Sequence, residues 1–326
     1  MPRKPRLSVP GALHHVMSRG IEGRPVFAAD EDRQYFLSLL SDGLTKIGYK
    51  CYAWVLMSNH YHLLLRANKN SLSLLMRPLN SKYARWFRKK DNSRGYLFQD
   101  RFKSLVTQDQ GYIEELVRYI HLNPIRAGIC RSIAELDLYP WSGHAVLVGR
   151  SNRPFQDTRT VLNLFSRDSK RAIREYRDYL GKGIGESKSA KQEIEEVLRK
   201  NNNGVVDRKD YRCWVIGDAD FVKAVLEQDQ AKRLQVARYC QSGLSLQKVV
   251  EEVCAQMAID AGEIVKRGRD NNRSMLRKVV AAIAHRSCGI PIIEIARYYG
   301  LGSSSVSRML DEGEDYVREN KIVIKH

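Results

Sequence analysis

The chain lacks the features that mark a secreted, membrane-spanning or zinc-stabilised protein. Its six cysteines are scattered over 326 residues, and no two of them form a CxxC pair. That spacing argues against a zinc knuckle or a disulfide framework and is typical of reduced core cysteines. No apolar run approaches the roughly 20 residues that a membrane-spanning helix needs, and the basic N-terminus has no apolar signal segment. We therefore expect a cytoplasmic protein that makes no use of a membrane.

Positive charge, in contrast, is plentiful. Lys and Arg total 55 against 37 Asp and Glu, which gives a net charge of +18. An excess of this size predicts a polyanionic partner, and nucleic acid is the first candidate, although a basic surface can also serve solubility alone. Hydrophobic residues make up 43% of the chain, which is enough for ordinary cores, and the length suggests two or three domains.

Residues 1–150 alternate between strand and helix patterns. Strands are predicted at 12–19, 49–57, 60–66 and 101–107, and helices at 29–47, 70–90 and 109–122. The order β-α-β-β-α-β-α predicts the ferredoxin-like α+β class with an antiparallel sheet. Helices would cover one face of that sheet and leave the other face available. Pro78 should kink or divide the helix at 70–90.

The patterns after residue 150 are weaker until the C-terminal region. Residues 151–240 are predicted to form a helical linker region without an assigned role, and 241–326 an all-α DNA-binding domain. Near the end, the apolar segment 292–296 is followed by Gly300 and Ser303. Glycine allows positive φ at a turn and serine can cap the next helix, so this spacing predicts a helix-turn-helix.

Two short patterns about sixty residues apart are candidates for a reactive site. His60 and His62 are two positions apart on a predicted strand, so their imidazoles point to the same face. Tyr119 and Asn123 are four positions apart on a predicted helix, so they lie one above the other. Two imidazoles and an amide oxygen provide part of a shell for Mg²⁺ or Mn²⁺. A phenol beside such a cation can attack a phosphodiester.

Each of these residues also has a simpler interpretation. Two histidines on a strand are commonly core or surface residues, and a tyrosine on an amphipathic helix commonly serves packing. Asn123 precedes Pro124, which tends to end a helix, so its amide can equally be a cap. Leu64 stands where a histidine-triad hydrolase would have a third histidine, which sets that class aside. His14 and His15 belong to the pattern of the first strand and are not ranked as ligands.

Basic and hydroxyl side chains are the candidates for DNA contact. The cations of the helix at 70–90 are either a solvated face or contacts to the DNA backbone. Arg101 and Lys103 alternate on a predicted strand, so both can face one surface. The full set is Arg19, Lys82, Arg85, Lys89, Arg101, Lys103, Arg126, Lys266, Arg267, Arg269, Ser304, Ser305, Ser307 and Arg308.

At these residues the chain resembles the HUH single-tyrosine transposases, in particular the REP-associated tyrosine transposases. The resemblance covers about residues 1–150, where several motifs occur in order. Ser58 stands where the family usually has proline, and His14 where it usually has an aromatic residue. The C-terminal region resembles the DnaA-type, Trp-repressor-like helix-turn-helix. The matching stretches are Pro10-Gly11-Ala12, His15-Val16 with Arg19-Gly20, Met57 to Leu64, Gln99 to Lys103, Tyr119 to Gly128 and Tyr139 to Ser142.

The resemblance implies that 1–150 is a catalytic domain that cleaves single-stranded DNA near hairpins. Tyr119 would become linked to the 5′ phosphate and release a 3′ hydroxyl, while His60, His62 and Asn123 would bind Mg²⁺ or Mn²⁺. The C-terminal domain would add recognition of duplex DNA, and the protein would act as a monomer or homodimer on the bacterial nucleoid.

Two alternatives to a transposase stay open. One is a regulator that binds DNA through the helix-turn-helix without any catalysis. The other is an RNA-binding sheet, which is weakened because the strands carry no evident signature of aromatic stacking.

Overall fold

The computed structural model describes residues 11–67, 72–108, 112–184, 215–241, 244–266 and 270–324. The chain divides into two compact units, Met1–Leu226 and Glu227–His326. Each unit has its own hydrophobic core. None of the helices within the described ranges combines the length and apolar character that crossing a bilayer requires.

The first unit is built on an antiparallel sheet. Its strands are β1 (Leu13–Arg19), β2 (Lys50–Leu56), β3 (His60–Arg66) and β4 (Lys103–Thr107), in the order β2-β3-β1-β4. Each neighbouring pair among these four is antiparallel. This is the strand order of the ferredoxin-like arrangement, so the predicted α+β class is confirmed. A two-residue strand that the sequence did not predict, β5 (Val215–Ile216), extends the sheet parallel to β4.

Two helices, α1 (Asp30–Ile47) and α2 (Leu72–Lys90), cover one face of the sheet. Alternate residues of β3 point toward them, and Tyr61 packs in one aromatic cluster with Phe36 of α1 and Tyr83 of α2. Because side chains alternate along a strand, the residues on either side of Tyr61 must point to the opposite face.

The helix α2 runs without interruption through Pro78, so a division of the helix there is wrong. Proline removes one backbone hydrogen bond from the helix interior. Leu75, Leu79 and Tyr83 lie on one side of α2 and are buried in the core, and this packing offsets the missing bond.

The opposite face of the sheet is also covered, which corrects the expectation that it would be available. The helix α3 (Tyr112–His121) packs there, with Val117 and Ile120 in the same cluster as Leu64 of β3. Short helices that follow in the chain add to this cluster. They are α4 (Asn123–Arg126), α5 (Ile133–Asp137), α6 (Gly143–Leu147), α7 (Thr158–Leu162) and α8 (Ser169–Lys182).

Buried polar contacts fix the end of α3. The Tyr176 hydroxyl of α8 lies 2.7 Å from Nδ1 of His121 and 2.8 Å from Nδ1 of His144. Asp137 then contacts Nε2 of His144 at 2.7 Å. His121 is fully buried in this network.

Gly143 occupies a position that has no room for a side chain. A Cβ atom there would lie 2.8 Å from Oε1 of Gln156 and 2.9 Å from Nε2 of His121. The Gln156 amide cannot easily move, because it accepts from Trp54 Nε1 at 2.8 Å. We therefore expect Gly143→Ala to destabilise the first unit by about 1–3 kcal/mol, the usual cost of overpacking.

Urea unfolding followed by tryptophan fluorescence measures this effect, because all four tryptophans lie within Met1–Leu226. Gly181→Ala is the matched control, since nothing lies within 4 Å of a Cβ atom at that helical position. Alanine there should leave stability unchanged or raise it slightly. Equal unfolding midpoints for the two variants would contradict the prediction.

The second unit is helical. α9 (Ala219–Gln241) contains the boundary between the units, and α10 (Leu246–Met257), α11 (Asn271–Ala282), α12 (Ile292–Tyr299) and α13 (Ser303–Glu319) follow. α12 ends at Gly300, whose φ of 63° is left-handed, as the sequence predicts for that turn.

Candidate active site

Strand pairing places a row of candidate site residues on the sheet face that α3 covers. In the register of the sheet, His60 lies opposite Arg19 and His62 lies opposite Met17. Met17 in turn lies opposite Lys103 of β4. Residues directly opposite in antiparallel strands point to the same face. Arg19 and Lys103 therefore share the face of the two histidines, and both are exposed.

The two imidazoles lie side by side, with ring centroids 5.1 Å apart. Each uses its Nδ1 atom in a hydrogen bond. Nδ1 of His60 lies 2.7 Å from Oδ1 of Asn59, and Nδ1 of His62 lies 2.9 Å from Nε2 of His15. Within the described ranges, neither Nε2 atom has a hydrogen-bond partner. The Nε2 atoms are thus the ones left to bind an incoming group.

Burial keeps both imidazoles neutral. Burial, together with a smaller effect of the nearby Arg19 charge, lowers the pKa of His60 to about 4. Burial also holds the pKa of His62 well below its ordinary value, with smaller contributions from His15 and His60. A neutral imidazole at neutral pH has a lone pair, which is the form that binds a cation.

The Tyr119 ring packs against His62 and against His15 of β1. Its ring centroid lies 5.6 Å from that of His62 and 5.4 Å from that of His15, in edge-to-face geometry in both cases. The side chain is buried except for 8% of its surface. The Arg126 guanidinium lies 5.5 Å from the ring centroid, so a positive charge accompanies the phenol.

Asn123 lies one turn beyond Tyr119 and caps the helix. Its Nδ2 atom donates to the carbonyl oxygens of Tyr119 at 2.8 Å and Ile120 at 3.2 Å. Asn123 therefore acts as a cap, which is one of the two roles that the sequence predicted for it. Its Oδ1 atom accepts no hydrogen bond from the described residues, so binding of a cation by that oxygen stays a prediction.

His15 is the member of the site that sequence reasoning missed. It was set aside as part of the first strand's own pattern, yet it is fully buried between His62 and Tyr119. A signal was available in the predicted fold. In a ferredoxin-like sheet β1 lies beside β3, and alternation puts His15 on the same face as Met17 and Arg19.

Other predicted DNA contacts lie away from the imidazoles. Lys82, Arg85 and Lys89 are exposed on α2, which packs on the opposite face of the sheet. Arg101 is exposed and precedes β4, so it does not alternate with Lys103 on the strand as expected.

The second unit holds the remaining candidates. Lys266 pairs with Glu263, and Arg267 and Arg269 lie outside the described residues. In α13, Ser304 and Arg308 are exposed while Val306 and Leu310 are buried, and Ser305 and Ser307 are half-buried. The first turns of α13 therefore present hydroxyl groups and one cation on the outside of the helix.

The donor set limits which cation the site can hold. The described residues contain no cluster of three or more His, Cys, Asp or Glu side chains suited to a metal. The candidate donors are the two neutral imidazoles of His60 and His62 and the amide oxygen of Asn123, which lies four positions after Tyr119 in the sequence. Such a set fits a cation that keeps several waters, and imidazole nitrogen suits Mn²⁺ better than Mg²⁺.

Fold and site together define a class of protein: a basic α+β domain whose sheet carries paired histidines facing a tyrosine. Residues 8–123 match the family model described as IS200-like transposase, and they include every member of this site up to Asn123. This segment of the chain is similar to the IS200-like transposases.

Among solved structures, a REP-associated tyrosine transposase bound to a REP hairpin is similar to this chain at 18% identity and a TM-score of 0.39. That likeness covers 48% of this chain and 90% of the other. A search of curated proteins gave no match.

Proposed function

We propose that the first unit cleaves and rejoins single-stranded DNA through a transient covalent bond to Tyr119, with Mg²⁺ or Mn²⁺ as cofactor. The observation that carries the proposal is the contact of the Tyr119 ring with His62, at 5.6 Å between centroids, inside the segment that matches the IS200-like transposase model. A tyrosine that served packing alone would not need two neutral imidazoles and a guanidinium around it.

The reaction conserves one phosphodiester bond. The Tyr119 hydroxyl loses its proton, and its oxygen attacks a DNA phosphorus. The bond from phosphorus to the 3′ oxygen breaks, and that oxygen leaves as a hydroxyl after taking up a proton. The product is a 5′-phosphotyrosine, whose bond a second 3′ hydroxyl can exchange without ATP. This exchange distinguishes strand transfer from hydrolysis.

His60 and His62 would hold the cation through their Nε2 atoms, with Asn123 Oδ1 as a further ligand. When bound, the cation polarises the phosphate and helps to neutralise the charge that develops on it. Arg126 beside the Tyr119 ring contributes a second positive charge near the reacting phosphate. Arg19 and Lys103, exposed on the same sheet face, are positioned to contact the DNA backbone on either side.

A labelled single-stranded oligonucleotide that folds into a hairpin tests the proposal. Sequences flanking the native gene are the first choice of substrate. With Mn²⁺, we expect a protein–DNA adduct that survives a denaturing gel, and EDTA should prevent its formation. An oligonucleotide that is bound but neither cut nor linked under these conditions, with each metal, would favour the non-catalytic regulator instead.

A second activity, binding of duplex DNA by the second unit, is favoured by α12 and α13. Two helices joined by a turn at Gly300 present Ser304 and Arg308 from the first turns of the second helix. In helix-turn-helix proteins this part of the second helix contacts base edges in the major groove. We propose that the second unit holds duplex DNA in this way.

Arg308→Ala should weaken duplex binding by roughly 1–3 kcal/mol if the side chain reaches the DNA. Fluorescence anisotropy with a duplex from the region flanking the gene, at one fixed salt concentration, measures the loss. Arg318→Ala is the matched control, because Arg318 lies in the last turn of the same helix beside Asp315. An equal loss in both variants would show that α13 contributes charge but no specific contact.

A further inference from the structure

His15 differs from an ordinary core residue in its contacts: it stacks on His62, and one of its ring nitrogens has no hydrogen-bond partner among the described residues. It is fully buried on β1, and its ring stacks on His62 with centroids 5.1 Å apart and planes 22° from parallel. Its Nε2 atom lies 2.9 Å from Nδ1 of His62. Its other nitrogen, Nδ1, is buried and has no hydrogen-bond partner among the described residues.

The unpartnered nitrogen indicates that His15 is not there for stability. Buried polar atoms are nearly always hydrogen-bonded, and an exception calls for an explanation in function. An apolar side chain of similar size would fill the same space without leaving a polar atom unsatisfied. Among the described residues, the one hydrogen bond that His15 makes is with His62, so its role should be sought there.

Which ring donates in this contact sets which nitrogen of His62 is free to bind a cation. One proton lies between the two rings. If Nδ1 of His62 carries it, Nε2 of His62 keeps a lone pair and can bind a cation. If His15 Nε2 carries it instead, neutral His62 must carry its own proton on Nε2, which then cannot bind.

His60 also makes a hydrogen bond through its Nδ1 atom, and the direction of that bond can be assigned. The Nδ2 atom of Asn59 donates to the Gly23 carbonyl at 3.1 Å, which orients the amide so that Oδ1 faces Nδ1 of His60. An amide oxygen only accepts, so His60 Nδ1 must donate and its Nε2 keeps the lone pair. In the described part of the chain, both histidines of the pair thus have a hydrogen-bond partner at Nδ1 and none at Nε2.

We infer that His15 is a positioning residue: its Nε2 accepts the Nδ1–H of His62 and so holds His62 in the tautomer that binds a divalent cation. This inference rests on the proposed function, because it assigns a partner to a proposed cation ligand. Partners of this kind orient a ligating histidine, and their loss typically weakens metal binding about 10- to 100-fold.

Titration of the full chain with Mn²⁺, with free Mn²⁺ measured by electron paramagnetic resonance and no DNA present, tests the inference. His15→Phe should raise the Mn²⁺ Kd about 10- to 100-fold, while the tryptophan unfolding midpoint stays near that of the wild type. His15→Gln places an amide oxygen where Nε2 was and should restore most of the affinity. A purely structural role would not give rescue by glutamine together with an unchanged midpoint.

His14→Phe is the matched control. His14 is the neighbouring buried histidine, faces the other side of the sheet and contacts Ser104 at 2.9 Å, so its loss should not change the Kd. An unchanged Kd in His15→Phe would overturn the inference and leave the proposed function standing. Wild-type protein that binds no Mn²⁺, or binds it equally well after His60→Ala and His62→Ala, would overturn the proposed cation site, and the inference with it.

Discussion

Tyr119→Phe should abolish the covalent protein–DNA adduct while leaving the binding of single-stranded DNA nearly unchanged. The substitution removes one oxygen atom and keeps the ring that packs against His15 and His62. Removal of an enzyme's nucleophile can cost on the order of 10⁶ in rate, so no adduct should be detectable. The measurement is a denaturing gel with labelled hairpin oligonucleotide, beside an anisotropy titration of the same DNA.

Tyr112→Phe provides the matched control for this prediction. Tyr112 lies on the same helix, seven positions earlier, and is half-buried. Its substitution should leave the adduct at wild-type yield. An undiminished adduct in Tyr119→Phe would end the assignment of Tyr119 as nucleophile, and the search would move to the other tyrosines of the chain.

His62→Ala and His60→Ala should each abolish cation-dependent nicking and keep most of the DNA affinity. The Nε2 atoms of these side chains are the proposed cation ligands, and loss of an outer partner alone costs about 10- to 100-fold. Loss of a ligand itself should cost on the order of 10³-fold or more. Nicking rates across a Mn²⁺ series, with DNA binding measured in parallel, give the result.

His285→Ala is the control for the loss of an imidazole, because His285 lies in the second unit and contacts the Ile290 carbonyl. It should not change the nicking rate. If His62→Ala nicked DNA at the wild-type rate with tryptophan fluorescence unchanged, the two histidines would be core residues only. If it lost DNA binding in proportion to nicking, they would serve binding and not chemistry.

Local patterns in the sequence were enough to predict the four antiparallel strands of the sheet, although not the short strand β5. β3 was predicted at 60–66 and observed at His60–Arg66, and α1 was predicted at 29–47 and observed at Asp30–Ile47. Both elements have strong periodicity and a turn signal at one end, which are the features that local patterns record. The placement of His60 and His62 on one face follows directly from the strand.

What the sequence did not predict depends on contacts between distant segments. The contact of His15 with His62 requires that β1 pairs with β3. No local pattern in either strand records this pairing, and only the predicted ferredoxin-like strand order implies it. The covering of the second sheet face depends in part on α5, α6 and α7, which have five residues each and so too few turns to show a period. Asn123 could be a cap or a ligand because both roles suit an amide at a helix end.

Identification of the residue that carries the DNA is the most direct test of the central claim. The adduct formed with Mn²⁺ can be digested with nuclease and protease and sequenced by mass spectrometry. The chain has sixteen tyrosines, so the position of the modified residue is informative. We expect one phosphodiester-linked nucleotide, attached through its 5′ phosphate to Tyr119. A nucleotide on any other residue, or a 3′-phosphate linkage, would contradict the account.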